Sequence, residues 1–202
     1  MFIQIIQGRC TRQDEMRAMA DRWRTEVAPG AEGWLGGTYG FTDDDLFVGV
    51  VRFENEELAA ANSRREQQGQ WWMETERLFD GPVEFHDCST VLLMMDGGSD
   101  DAGFVQVIRG KVDDPARLES MMEPMTNLLH EARPDILGST FAIEDDGTFT
   151  ETVFFTDEAA ARTGEAKEMP LNDEVRDAMQ AWEQTVHDVS YLDLHHPWFA
   201  SR

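Results

Sequence analysis

The chain has 202 residues, 41% of them hydrophobic, which is enough for one large domain or two small ones. It carries 40 acidic residues against 17 basic ones, so its formal net charge is −23, with no basic stripe. Nucleic acids and anionic membrane surfaces are therefore excluded as expected partners, because both require a positively charged surface.

The N-terminal segment lacks the basic start and the long apolar run of a signal peptide. Apolar stretches elsewhere stay well short of the roughly 20 residues that a membrane helix needs. The two cysteines, Cys10 and Cys88, are not spaced as metal ligands and are expected to be free thiols. We therefore expect a cytoplasmic protein.

The chain contains an internal repeat. When it is shifted by 102 positions, Phe2 falls on Phe104, Phe47 on Phe149 and Phe53 on Phe155. Between residues 2 and 56, 14 of 55 positions are identical without a gap. After one deletion the match resumes, and it pairs His86 with His187. A repeat of this length predicts two copies of one structural unit.

Each copy predicts the order β-α-β-β-α-β. Apolar residues at helical spacing follow the first strand, an Asp-rich turn separates the next two strands, and an apolar strand ends the copy. In the first copy the predicted strands are 2–9, 33–41, 46–53 and 83–95, and the predicted helices surround 16–27, 55–65 and 70–79.

This order is the ferredoxin-like split βαβ arrangement and predicts an α+β protein. The expected boundaries are a first unit at 1–96, a linker at 97–102, a second unit at 103–195 and a tail at 196–202. Since helices cover one face of such a sheet, we expect the two units to pack sheet to sheet within one chain. Further self-association stays open.

Two such units resemble the dimeric α+β barrel superfamily, and the antibiotic biosynthesis monooxygenase-like group in particular. The local pattern is an aromatic residue at the end of the third strand, a polar turn, an acidic residue and then a helix. It begins at Phe53 in the first copy and at Phe155 in the second. Haem-binding members carry a His where this chain has Asn62 and Gly164, so the resemblance does not imply haem.

The resemblance implies a pseudo-dimer that acts on aromatic or polyketide-like compounds without a metal or flavin. Such members use Asn, Trp, Tyr and Arg side chains around a pocket. Asn62, Arg52 and Tyr39 are therefore the catalytic candidates. Arg52 could equally pair with one of the many acids.

Ligand-binding candidates are mainly aromatic. Trp71 and Trp72 are adjacent on a predicted helix and cannot share one face, so at least one should point to a cavity, a partner or solvent. Trp34 is a further ligand-binding candidate. Trp23 lies on an apolar helical face, which also favours core packing. His86 precedes an Asp, a pair that could orient a base or simply cap a strand end.

No metal is expected, since His195 and His196 lack a neighbouring carboxylate or thiol with ligand spacing. Flavin, nicotinamide and phosphate-loop fingerprints are also missing from the sequence, so no cofactor is expected. Two functions stay open: a cofactor-independent monooxygenase-like enzyme, or a binding or assembly protein of the same fold. The polar candidates favour a pocket in the first unit.

Overall fold

A computed structural model describes residues 1–167 and 173–201. The chain divides into two units that do not coincide with the two copies of the repeat. Unit 1 comprises Met1–Ser89 and Pro197–Arg202, and unit 2 comprises Thr90–His196. Each unit has its own five-stranded antiparallel sheet.

Unit 1 contains five strands and three helices. Their bounds are β1 Phe2–Arg9, α1 Gln13–Arg22, β2 Trp34–Phe41, β3 Leu46–Phe53, α2 Glu56–Ser63, α3 Glu66–Thr75, β4 Glu84–Cys88 and β10 Trp198–Ser201. A π-helical turn at Trp23–Val27 extends α1. The strands are ordered β10-β2-β3-β1-β4, which is the ferredoxin-like order with β10 added at one edge.

Unit 2 repeats this plan. Its elements are β5 Thr90–Met94, β6 Phe104–Val112, α4 Pro115–Ala132, β7 Ile136–Ile143, β8 Thr148–Phe155, α5 Glu158–Glu165, α6 Asp173–Thr185 and β9 Val186–Leu194. The strand order is β5-β7-β8-β6-β9. The predicted α+β class and the tandem ferredoxin-like units are therefore confirmed.

The unit boundaries differ from those expected. The predicted strand at 83–95 is broken at Ser89, so that β4 pairs with β1 while β5 pairs with β7. The residues of the expected tail form β10, which pairs with β2. Unit 2 thus takes its edge strand β5 from the first copy of the repeat, and unit 1 takes β10 from the tail that follows the second copy. Local hydrophobic patterns cannot reveal either pairing.

The pattern after the third strand of each copy is a helix cap. The side chain of Asn55 accepts a hydrogen bond from the Leu58 backbone N–H at the start of α2. Asp157 accepts one from Ala160 at the start of α5. Because such caps satisfy N–H groups that the helix leaves unbonded, the local sequence fixes where both helices begin.

The two central hairpins use different residues at the same turn position. In the β2–β3 turn Asp45 has φ 64°, and in the β7–β8 turn Gly147 has φ 79°. A left-handed backbone costs glycine little and other residues more. The turn of unit 1 is therefore the more strained of the two.

Candidate functional site

Unit 1 encloses a small cavity of about 80 Å³ between its sheet and its helices. This volume holds only a few water molecules and is well below the roughly 300 Å³ at which small-molecule sites begin. Five of the residues predicted from the sequence line it: Trp23, Tyr39, Asn62, Trp71 and Trp72. These five predicted residues therefore do lie together, around a cavity that side chains nearly fill.

Tyr39 accounts for much of this filling. A Cβ atom placed on Gly37 would lie 2.1 Å from the Tyr39 hydroxyl oxygen, and one on Gly49 would lie 3.2 Å from its ring. The ring also stacks on Phe47 and Trp198, at centroid distances of 6.4 and 5.7 Å. Burial raises the pKa of the Tyr39 phenol to about 12, while Arg52 lowers it to a lesser degree. Tyr39 is thus a neutral core residue at physiological pH.

The polar residues around this cavity bond to one another. The indole N–H of Trp23 donates to Gln68 Oε1 at 2.7 Å, and Asn62 Nδ2 donates to the same oxygen at 3.3 Å. Asn62 Oδ1 in turn accepts a hydrogen bond from Arg65 at 2.8 Å. The Trp71 indole donates to the Met19 carbonyl at 2.8 Å. These bonds hold the helices of unit 1 together.

Arg52 and Trp34 lie outside the cavity lining. Arg52 donates to Thr38 Oγ1 at 3.0 Å, on the face of the sheet opposite Tyr39 and Val51. Trp34 packs edge-to-face on Trp23 with 4.9 Å between ring centroids. The structure therefore does not place Arg52 beside Asn62.

His86 also lies outside this lining. It pairs with Ile5 on β1, and its Nε2 is 3.7 Å from a carboxylate oxygen of Glu84. His187, its partner in the sequence repeat, instead lies opposite Lys111 near the end of β6. The last strands of the two copies therefore differ in register, and His86 and His187 are not structural equivalents.

Unit 2 contains a larger cavity of about 430 Å³. This volume lies within the range of small-molecule sites. Its apolar wall consists of residues from the sheet and from α4 and α6: Met94, Ile108, Met122, Met125, Leu129, Ile136, Phe141, Val153, Phe155 and Trp182. Polar groups in the lining come from Gln106, Arg133, Glu151, Glu165 and Tyr191. An apolar cavity with a few polar groups is the usual form of a ligand site.

Glu151 lies in the wall of this cavity, at the middle of β8. It pairs with Ile108 on β6 and with Phe141 on β7, and it is only 5% exposed. Desolvation raises the pKa of this carboxyl to about 7, and the nearby Ser139 hydroxyl opposes part of the rise. Its protonation therefore changes near neutral pH, which suits a group that accepts and returns a proton.

The other polar groups of the wall have partners. Arg133 forms an ion pair with Asp135 at 2.7 Å, and Gln106 donates to Asp193 at 2.9 Å. Tyr191 is 63% exposed and lies on the solvent side of the cavity. A ligand would thus enter past polar residues and reach an apolar interior with the buried carboxyl group of Glu151 in its wall.

The repeat shows where the walls of the two cavities differ. At three equivalent positions unit 1 has Gly37, Tyr39 and Gly49, and unit 2 has Ser139, Phe141 and Glu151. In unit 1 the phenol covers both glycines. In unit 2 Ser139 and Glu151 take the two glycine positions, and Glu151 brings a carboxyl group into the wall. The pocket predicted for unit 1 stays a prediction, and the cavity found there measures about 80 Å³.

Sequence reasoning missed Glu151, although a signal was present. Phe149, Val153 and Phe155 stand at odd-numbered positions of one strand, and strand alternation puts Glu151 on the same face as these three residues. A single acid on an otherwise apolar strand face is costly to bury and calls for an explanation.

Among the described residues, no group of three or more His, Cys, Asp or Glu side chains is placed to hold a metal ion. None of the helices in the described part of the chain is both long and apolar enough to cross a membrane.

Solved structures with the same architecture cover almost the whole chain. A candidate monooxygenase from Fusobacterium nucleatum matches with a TM-score of 0.73 at 7% identity, over 100% of this chain and 94% of that one. One from Lactobacillus acidophilus matches with a TM-score of 0.69 at 13% identity, over 96% and 92%. The chain therefore shares the fold of these structures, with two tandem ferredoxin-like α+β units.

An anthrone oxidase-like protein also matches, with a TM-score of 0.66 at 8% identity, over 99% of this chain and 92% of that one. No protein-family model matches the sequence, and no curated protein matches it either. At these identities the matches show the fold, and the function has to be argued from the site.

Proposed function

We propose that the protein binds a small aromatic or polyketide-like molecule in the unit 2 cavity and oxidises it with dioxygen, without a metal or organic cofactor. The observation that carries this proposal is the apolar 430 Å³ cavity with the buried carboxyl group of Glu151 in its wall. The similarity to monooxygenase-like and anthrone oxidase-like structures supports the same class of chemistry.

The reaction converts an activated CH₂ group and O₂ into a carbonyl group and water. One oxygen atom enters the product and the other leaves as water, and all the electrons come from the substrate. The protein then has to bind the substrate, keep water from its reacting carbon and move protons. Met122, Trp182 and Phe155 provide an apolar surface for flat rings.

The test uses anthrone as substrate and the corresponding anthraquinone as a non-reacting ligand. Oxygen uptake and quinone formation are measured with and without O₂ and corrected for the uncatalysed oxidation. Anthraquinone binding is measured by calorimetry. We expect saturable binding and O₂-dependent turnover. Binding without turnover would indicate the alternative, a non-catalytic binding protein of the same fold, and loss of both would contradict the proposal.

Two sets of variants locate the site. Val153→Phe and Met125→Phe add bulk to the wall of the unit 2 cavity and should weaken anthraquinone binding at least tenfold. Tyr39→Phe and Asn62→Ala alter the sequence-predicted site in unit 1 and should leave binding and turnover within about twofold of the wild type, provided that circular dichroism shows folded protein. Weakened binding in the unit 1 variants together with unchanged binding in the unit 2 variants would indicate that the site lies in unit 1.

The proposed location of the protein is the cytoplasm. Cys10 and Cys88 are buried, and neither forms a disulfide in the described part of the chain, which is consistent with a reducing compartment. Cell fractionation with an antibody against the chain would test this.

A further inference from the structure

The chemistry of the unit 2 wall narrows the substrate class. We infer that Glu151 is the proton acceptor of this site and that its substrates are carbon acids, in which flanking carbonyl or aryl groups acidify the reacting C–H bond. This inference rests on the proposed function and adds a residue role and a substrate class to it.

The position of Glu151 is unusual in this chain. Among the residues whose burial the structure describes, it is the only buried acidic side chain in a chain with 40 acids. Its equivalent in unit 1 is Gly49, so the fold itself does not require an acid at this point. A buried acid that the architecture does not need, in the wall of a ligand-sized cavity, is a candidate functional group.

The other charged and titratable groups around the cavity form ion pairs of their own or lie toward solvent. Arg133, at the end of α4, is held by Asp135 in a two-point interaction of 3.0 and 2.7 Å. Glu165 on α5 forms an ion pair with Arg162 at 3.2 Å. Tyr191 on β9 lies toward solvent. Among the described residues no cation forms an ion pair with Glu151, so its carboxylate is not neutralised by a neighbour and is a stronger base than an exposed one.

The surroundings of the Glu151 carboxyl group are largely apolar. Ile108 and Phe141 flank it on the neighbouring strands, and the Trp182 ring packs edge-to-face on Phe141 with 5.8 Å between centroids. A flat aromatic substrate in this cavity would lie beside the carboxylate in a largely apolar environment. There the transfer of a proton from carbon to the carboxylate exchanges one anion for another, without creating a new buried charge.

The proton steps balance within this scheme. The Glu151 carboxylate takes a proton from the substrate CH₂ group, and the C–H electron pair stays on the substrate as a delocalised carbanion. The carbanion reduces O₂ and forms a C–O bond. The resulting hydroperoxide anion takes the proton back from Glu151. Loss of the second C–H proton, with cleavage of the O–O bond, gives the carbonyl group and water.

The test compares Glu151→Gln, which keeps the side-chain shape and removes the base, with Glu151→Asp, which keeps a carboxylate on a shorter side chain. Glu144→Gln is the control, since Glu144 is a partly buried acid of the same unit that pairs with Arg109 outside the cavity. At pH 8 the Gln variant should lose about 10²–10⁴-fold in kcat. The Asp variant should keep part of the rate, and the control should keep all of it.

Two further measurements separate the possible failures. The kcat/KM of the wild type should rise with pH to a plateau, with a midpoint near the pKa of Glu151, about 7, and the Gln variant should lose this limb. Anthraquinone has no acidic C–H bond, so its binding should be retained in the Gln variant. Retained binding with unchanged turnover and an unchanged pH profile would overturn the inference while leaving the proposed function intact. If the wild type neither binds anthraquinone nor oxidises anthrone, the proposed function itself would be overturned.

Discussion

The two units share their strand order, their central hairpin and their helix caps, yet one is filled and the other is hollow. Three equivalent wall positions also differ: Gly37, Tyr39 and Gly49 in unit 1 are serine, phenylalanine and glutamate in unit 2. The larger cavity therefore lies in the unit whose sheet has bulkier side chains at the two glycine positions, so its volume comes from the helices that cover the sheet. Two copies of one fold can thus share their strands and differ in the side chains that pack above them.

The largest expected effect comes from placing the acid of unit 2 in unit 1. Gly49→Glu would bury a carboxylate beside the rings of Tyr39 and Phe47, each 3.2 Å from the new Cβ. An unpaired buried charge of this kind should lower the free energy of unfolding by about 3–5 kcal/mol. Chemical denaturation at pH 8 measures the change.

Gly49→Ala is the control, because it adds the Cβ atom without the charge and should cost only about 1 kcal/mol. Combining Gly49→Glu with Tyr39→Ala should recover part of the loss, since the missing ring leaves room for the carboxyl group and water. A Gly49→Glu variant as stable as the wild type would show that the interior of unit 1 is not filled as described.

A second prediction concerns pH and the stability of the wild type. The pKa of Glu151 rises from 4.5 to about 7 on folding, so the folded state holds this proton more tightly. Stability from this group is fully present below pH 4.5 and is lost as the pH rises through 7. The loss amounts to about 3 kcal/mol. Glu151→Gln, which does not ionise, should therefore be more stable than the wild type at pH 8 by up to this amount.

Paired urea titrations of the wild type and Glu151→Gln between pH 4.5 and 8.5 check this prediction. The difference between the two proteins should grow with pH and level off above about pH 8. The same titrations with Glu144→Gln should give no such growth with pH. A constant difference across the range would mean that the Glu151 carboxyl titrates at its ordinary pKa.

The smallest expected effect tests the two hairpins. Asp45→Gly would give the unit 1 turn the residue that unit 2 has as Gly147, at a backbone φ that favours glycine. We expect a gain of about 0.5 kcal/mol, reduced by loss of the hydrogen bond from Gln13 to the Asp45 carboxylate at 3.0 Å. Gly147→Ala should show the reverse sign, because alanine at φ 79° is strained. Thermal unfolding followed by circular dichroism resolves both.

The fold was largely predictable from the sequence. The predicted strands 2–9, 33–41 and 46–53 agree with β1, β2 and β3 to within one residue, because each is a short apolar run between clear turn residues. The break at Ser89 and the strand after Pro197 were not predictable. Both depend on which sheet a segment joins, and that choice is decided by partners distant in sequence.

The site was less predictable. Strand alternation could have singled out Glu151, but its burial depends on how completely the helices cover the sheet. In unit 1 Trp71 and Trp72 provide that cover, and in unit 2 Met122, Met125 and Trp182 leave space above the sheet. The volume of a cavity is a small difference between the volume of the interior and the volume of the side chains that fill it. A residue pattern does not determine such a small difference.

The exchange of edge strands has a consequence for biosynthesis. The strand β10, at residues 198–201, belongs to the sheet that begins with residue 2. A ribosome must therefore synthesise residues 198–201 before the first sheet has its fifth strand, even though the other four strands emerged more than a hundred residues earlier. A chain truncated before Pro197 would leave the edge of β2 uncovered, and a nascent chain presents that same edge until β10 has emerged.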